Sequence, residues 1–200
     1  MLFRSQRRYM CSYNAGSMLL PPQELIALGG ILKVLPEVKV QLMDCIADDW
    51  DAGQLREALA LHKPDLIVSI QGFECFDEDM HQLRAIKQYL PDVMLVLFGH
   101  YTTIFAREIL EKTPVDIAIK GEPDLIFKDL TEALLQGHSL ETVGGIAYKK
   151  EGIVYETSGE LRIREPDKLP MPAYELLHAD KYYEPFMKAP FGLIQSARGC

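Results

Sequence analysis

Apolar residues along the chain fall into short β-branched runs that alternate with longer stretches of helical spacing, the pattern of β-α-β units around a parallel sheet. Five strands are predicted: Tyr9–Tyr13, Val38–Met43, Leu66–Ile70, Val93–Phe98 and Val115–Ile119. Most are near-continuous apolar runs, as expected of strands buried on both faces. Between them lie five predicted helices. The first opens at Pro21–Pro22, carries Leu25, Leu28, Ile31, Leu32 and Leu35, and stops at Pro36. Asp51 is placed to cap a second bearing Leu55, Leu59 and Leu61, and Asp77 a third bearing Met80, Leu83, Ile86 and Leu90. Thr102 or Thr103 can cap a fourth through Leu110; a fifth, Leu125–Leu135, has Gly137 as its C-terminal cap. Right-handed crossovers then give an α/β, flavodoxin-like, doubly wound parallel five-stranded sheet of order 2-1-3-4-5.

Beyond Gly137 the pattern changes. Ile146–Tyr148 and Ile153–Tyr155 flank Lys149–Gly152, a small β-hairpin with Gly152 at positive φ. Residues 165–190 hold Pro166, Pro170, Pro172, Pro185 and Pro190, a linker with one short helical turn near Tyr174–Leu177, and Phe191–Gln195 reads as a fresh strand. Residues 1–140 are thus expected to form one α/β domain and 141–200 a hairpin and Pro-rich connector.

Charge narrows the partners. The 200 residues carry 29 acidic against 21 basic side chains, a formal net charge of −8, which argues against a nucleic-acid surface. Arg4, Arg7 and Arg8 make a basic start with no apolar segment behind them, so no secretory signal is read. No apolar run reaches the ~18 residues of a membrane span, and a cytoplasmic protein is expected. Cys11, Cys45, Cys75 and Cys200 form no CxxC pair and suit reduced thiols.

In the expected topology, a ligand meets the loops at the carboxyl ends of strands 1, 3, 4 and 5. After strand 1 come Asn14, Ala15, Gly16 and Ser17, small enough for close backbone approach or for a simple turn. After strand 3, Ser69, Gln71, Gly72 and Phe73 gather hydroxyl, amide, glycine and aromatic groups, although packing alone accounts for Phe73. Gly99, His100, Tyr101, Thr102 and Thr103 precede a helix start, where polar or anionic groups bind; capping by Thr102 beside a surface His100 is the plainer alternative. After strand 5, Lys120, Gly121, Glu122 and Pro123 place a carboxylate that can meet a ligand donor or favour the helix start. The paired acids of a phospho-acceptor receiver, the hydroxyl-rich loop of a flavin site and a G-x-G-x-x-G loop are all missing. Gly29–Gly30 inside the first helix is an oddity, since glycine costs ~1 kcal/mol against alanine there; it lets something large lie close, or simply lets the helix pack tightly on the sheet.

Taken in order, these pieces resemble the N-terminal cobalamin (vitamin B12)-binding domain that precedes the catalytic barrel in cobalamin-dependent radical S-adenosylmethionine enzymes. The resemblance runs over residues 20–200: Pro21–Leu25, Gly99–Thr103, Val115–Glu122, Gly144–Tyr148, Leu169–Tyr174 and Ser196–Cys200. It implies a cobalamin site at Asn14–Gly16, Ser69, Gln71–Phe73, Gly99–Thr102 and Gly121–Pro123. It also implies that Cys200 is the first metal ligand of a CxxxCxxC motif, which holds a [4Fe-4S] cluster and S-adenosylmethionine in the barrel of a full-length protein. The reaction implied is methyl transfer through methylcobalamin, with no catalytic residue in this stretch. One departure stands out: the DxHxxG whose histidine ligates cobalt is absent, since residues 14–19 hold no histidine and Ile46 stands where it would fall after Asp44. A non-catalytic flavodoxin-like binding module, or a degenerate structural lid that no longer binds cobalamin, are the alternatives.

Overall fold

The strands bury both faces because helices cover the sheet on either side. The computed structural model describes residues 1–4, 19–71, 75–159, 163–184, 189–195 and 197. In chain order the elements are β1 (Leu2–Arg4), α1 (Gln23–Leu32), β2 (Leu42–Asp44), α2 (Ala52–His62), β3 (Leu66–Ile70) and α3 (Phe76–Tyr89). There follow β4 (Met94–Phe98), α4 (His100–Lys112), β5 (Ile117–Ile119), α5 (Pro123–Gln136), β6 (Ile146–Lys150), β7 (Ile153–Glu156), β8 (Tyr183–Glu184) and β9 (Ala189–Pro190). The main sheet runs β2-β1-β3-β4-β5-β6-β7, with its first five strands parallel and the last two antiparallel.

Successive residues of one strand supply opposite cores. Ile67, Leu95, Leu97 and Ala118 meet α2, α3 and α4 through Leu59, Met80, Leu83, Ile86 and Ile109. Val68, Val96, Phe98, Ile117 and Ile119 meet α1 and α5 through Leu25, Leu28, Ile126, Phe127 and Leu130. Each such side chain taken from water contributes about 1.5–3 kcal/mol before its ordering cost.

Local signals hold at several ends. Asp51 accepts the Gln54 N–H at 2.8 Å while Gln54 returns the bond, a reciprocal cap on α2. Gly137 ends α5 at φ 66°, and Glu151 and Gly152 (φ 53° and 80°) close the β6–β7 hairpin with both central residues left-handed, matching the strand twist.

Other expectations are corrected. The first described strand is Leu2–Arg4; the predicted Tyr9–Tyr13 strand lies outside the described residues. The sheet has seven strands where five were expected, because the hairpin adds to the β5 edge instead of standing apart. Leu61, expected on the apolar face of α2, is 78% exposed; Leu55 and Leu59 are buried from that helix, with Ala58 packed partly against the same core. Helix α3 starts one residue before Asp77, with Cys75 at its cap position. Gly99, not a threonine, precedes α4, because Thr102 is fully buried and the Thr103 hydroxyl is engaged elsewhere. Phe191–Gln195 forms no strand; the pairing nearby is β8 with β9.

Residues 25–32 of α1 are all buried, which the sheet alone cannot achieve for a helix. The connector supplies the second cover. A Cβ on Gly30 would lie 2.2 Å from the Met171 carbonyl oxygen, so glycine at 30 lets the backbones touch. The Ala173 N–H donates to the Ile26 carbonyl at 2.8 Å. Farther along, the Tyr182 hydroxyl, 1% exposed, donates to Asp44 Oδ2 at 2.6 Å, while Asp44 Oδ1 accepts the Ile46 and Ala47 N–H groups. The connector is a strap over α1.

Gly30→Ala is expected to cost about 1–3 kcal/mol in urea unfolding, the range for overpacking, and to speed proteolysis within residues 166–182. Tyr182→Phe, which leaves a buried Asp44 oxygen short of a donor, should cost about 1–3 kcal/mol.

Candidate functional site

Three loops meet at the carboxyl edge of the parallel strands, and hydrogen bonds join them. The Gln71 N–H donates to the Phe98 carbonyl at 2.8 Å, tying the end of β3 to that of β4. Gly99 stands at φ 136°, where a Cβ would come within 2.5 Å of the Gln71 carbonyl oxygen, so a side chain is excluded by strain and by space. The Thr103 hydroxyl donates to the Gly99 carbonyl and accepts the Gly121 N–H, both at 3.0 Å, joining the ends of β4 and β5. Gly121 is left-handed at φ 84°.

The expected site residues divide two ways. Asn14, Ala15, Gly16, Gly72, Phe73 and Cys200 lie outside the described residues. Ser69, Gln71, Gly99, His100, Tyr101, Thr102, Gly121, Glu122 and Pro123 come to the ends of β3, β4 and β5. Of these, Ser69 and Gln71 are buried and His100 is exposed in the first turn of α4. Thr102 is 0% exposed, and its Oγ1 has no hydrogen-bond partner among the described residues.

Some expected groups are used by the fold itself. Tyr101 packs between Phe76 and Phe105, with ring centroids 5.0 and 4.5 Å away. Glu122 Oε2 accepts the Ile163 N–H at 2.8 Å, so that carboxylate holds the connector. Pro123 opens α5, where a missing N–H costs nothing. Lys120 Nζ bonds Glu156 and the Thr157 carbonyl, each at 3.2 Å, and Arg107 reaches the other Glu156 oxygen at 2.9 Å. Desolvation raises the Glu156 pKa, but the hydrogen bonds and charges of Lys120 and Arg107 outweigh it and hold the carboxyl below its ordinary value. Helix α4 is broken at Phe105 (φ −114°, ψ 27°), which sets its first turn apart and leaves Ile104 73% exposed beside His100.

A second feature was not read from the sequence. A cavity of about 690 Å³ lies between the first turns of α1 and α5, roofed by the connector. Gln23, Asp124 and Tyr174 line it, and none of the expected site residues that are among the described residues does. No spacing rule joins positions 23, 124 and 174; only the strap over α1 brings them together.

This fold is shared with cobalamin-dependent S-adenosylmethionine radical enzymes. The aquacobalamin- and S-adenosylmethionine-bound enzyme OxsB superposes with a TM-score of 0.71 at 18% identity, over 88% of this chain and 24% of that one. The radical methyltransferase TsrM of Kitasatospora setae, solved with cobalamin and a [4Fe-4S] cluster, gives 0.57 at 20% identity, over 70% of this chain and 28% of that one. Among curated proteins, the uncharacterized methyltransferase PH0819 of Pyrococcus horikoshii is 30% identical over 182 residues, 90% of this chain and 39% of that protein. The anaerobic magnesium-protoporphyrin IX monomethyl ester cyclase of Rubrivivax gelatinosus is 28% identical over 185 residues, 90% and 33% respectively. The chain thus spans about two fifths or less of these relatives, and no family model matches it. The resemblance read from the sequence holds at the level of the fold.

Glu156→Gln should destabilise the protein near neutral pH by about 0.5 kcal/mol, the scale of a solvent-screened pair. A carboxyl whose folded pKa is depressed stabilises above its unfolded pKa and loses that contribution as pH falls through the folded value. The gap between wild type and variant in chemical unfolding should therefore close as pH drops below the ordinary glutamate value of 4.5.

Proposed function

We propose that this chain is the cobalamin-binding domain of a longer radical S-adenosylmethionine enzyme that transfers methyl groups through methylcobalamin. The reading takes residues 1–140 as the cofactor domain of flavodoxin-like order and 141–200 as the hairpin and connector leading to a radical barrel in a cytoplasmic protein. In it, Cys200 is the first ligand of the barrel's [4Fe-4S] cluster. Among the described residues no helix is long and apolar enough to cross a membrane, and Cys45 and Cys75 are buried.

The observation that carries the proposal is the joined edge with a spare hydroxyl. Gly99 and Gly121 keep side chains off the loops, and Thr102 offers a buried hydroxyl with no partner among the described residues. Such an edge suits a large ligand rich in hydrogen-bonding groups. Bound cobalamin would supply the cobalt centre that carries the methyl group. In this reading, Ser69, Gln71, Gly99 and Thr102 seat the cofactor, and His100 is the imidazole nearest to it on the described edge. Glu122, read as meeting a ligand donor or favouring the helix start, has one carboxylate oxygen bonded to the Ile163 N–H.

The alternative, a flavodoxin-like module that binds no cobalamin, draws on Lys120 and Glu122 being committed to internal bonds. Titration with hydroxocobalamin, followed by desalting and an absorption spectrum, separates the two. Near-stoichiometric retention is expected, with Thr102→Val weakening it about tenfold through one lost hydrogen bond at constant shape. A folded protein that retains no cobalamin would favour the alternative.

A further inference from the structure

We propose that Lys149 is a nucleophilic amine that accepts an acyl group from a thioester, a modification site at the amino edge of the parallel strands, opposite the loops read as the cofactor seat. It goes beyond the cobalamin reading and does not depend on it.

The sheet builds the cluster. Lys149 lies on β6 across from the residue that precedes β5, and its backbone N–H donates to the Asp116 carbonyl at 2.9 Å. This register gathers four groups: Lys149 from the hairpin, Asp116 at the start of β5, Lys87 from the last turn of α3 and the Thr113 carbonyl at the end of α4. Lys149 is half-buried, and its Nζ donates to the Thr113 carbonyl at 2.6 Å. That bond fixes the end of a side chain that otherwise samples many rotamers.

Charge in the cluster is shared unevenly. Asp116 Oδ2 accepts the Leu95 N–H at 2.7 Å and lies 3.0 Å from Lys87 Nζ, so the carboxylate is divided between a backbone group and the other lysine. Lys149 stands partly out of water beside a second cation, the setting that activates a lysine as a nucleophile. Burial lowers its pKa below the ordinary 10.5; the charge of Asp116 acts the other way, and that of Lys87 lowers it further. In the neutral amine one N–H keeps the bond to Thr113 while the lone pair is left for attack. The lone pair attacks the thioester carbonyl carbon, the N–C bond forms as the C–S bond breaks, and the proton lost from nitrogen ends on the departing thiol.

Lys150 supplies an internal standard, since it is exposed and leaves the strand on the other face. The purified protein is incubated with the thioester S-acetyl-N-acetylcysteamine from pH 7 up to the ordinary lysine value of 10.5. Acetylation of both lysines is read by mass spectrometry from one chymotryptic peptide, so hydrolysis of the thioester cancels in their ratio. At pH 7 Lys149 is expected to acetylate faster than Lys150, and the ratio to fall as pH rises, because a depressed pKa helps only where an ordinary lysine is protonated. Lys87→Met, which removes the second cation and keeps the apolar stem, should lower the ratio at pH 7. Asp116→Asn, which removes the opposing charge and keeps an acceptor for Leu95, should raise it. A ratio at or below one at pH 7, a ratio constant with pH, no fall in Lys87→Met or no rise in a folded Asp116→Asn would overturn the proposal. Lys87→Met decides the matter if Asp116→Asn fails to fold.

Discussion

From Leu25 to Leu32, helix α1 shows no side to water, and much of the architecture answers that constraint. Its residues 25–32 are buried throughout, with Leu25 and Leu28 set against the sheet core. The outer side needs a cover that the sheet cannot provide. The connector gives it through backbone contact, because glycine at position 30 removes the side chain that would hold the strands of chain apart. Once the strap is seated, Tyr182 reaches Asp44 across 138 positions of sequence, and the space between α1, α5 and the strap becomes a walled cavity.

A second economy governs the carboxyl edge. Parallel strands end together, so their loops crowd one line, and each loop must satisfy its own backbone groups before it can offer any to a ligand. Thr103 serves two loops with one hydroxyl, accepting from Gly121 and donating to Gly99. Lys120 and Glu122 hold the hairpin and the connector. Among the described residues of this edge, the Thr102 hydroxyl is buried without a hydrogen-bond partner and His100 is exposed. Polar residue types mark the edge, but their hydrogen bonds decide which of them are available.

Elements governed by local chemistry were legible. Asp51 before α2, Gly137 after α5 and Gly152 in the hairpin act through bonds or dihedrals within a few residues, so neighbours in sequence suffice to predict them. The near-continuous apolar runs at β3 and β4 were legible because burial on both faces favours apolar residues at successive positions, with Ser69 the one polar residue in them. Signals that compete with packing misled. Thr102 has a capping side chain yet is buried in the first turn of α4, and Phe191–Gln195 has strand composition but forms no strand, because β propensity expresses a fit to neighbours.

By itself, then, the sequence determined the alternation of strands and helices, the glycine and proline punctuation, and the set of loops at one edge, since periodicity and dihedral preference are properties of adjacent residues. The tertiary structure decided where the hairpin joins, why Gly29–Gly30 is tolerated, which polar groups are spent on the fold, and that Gln23, Asp124 and Tyr174 share a cavity. Those outcomes depend on contacts between residues from 18 to 151 positions apart, and nothing in a local pattern encodes which distant backbone will lie against a given glycine.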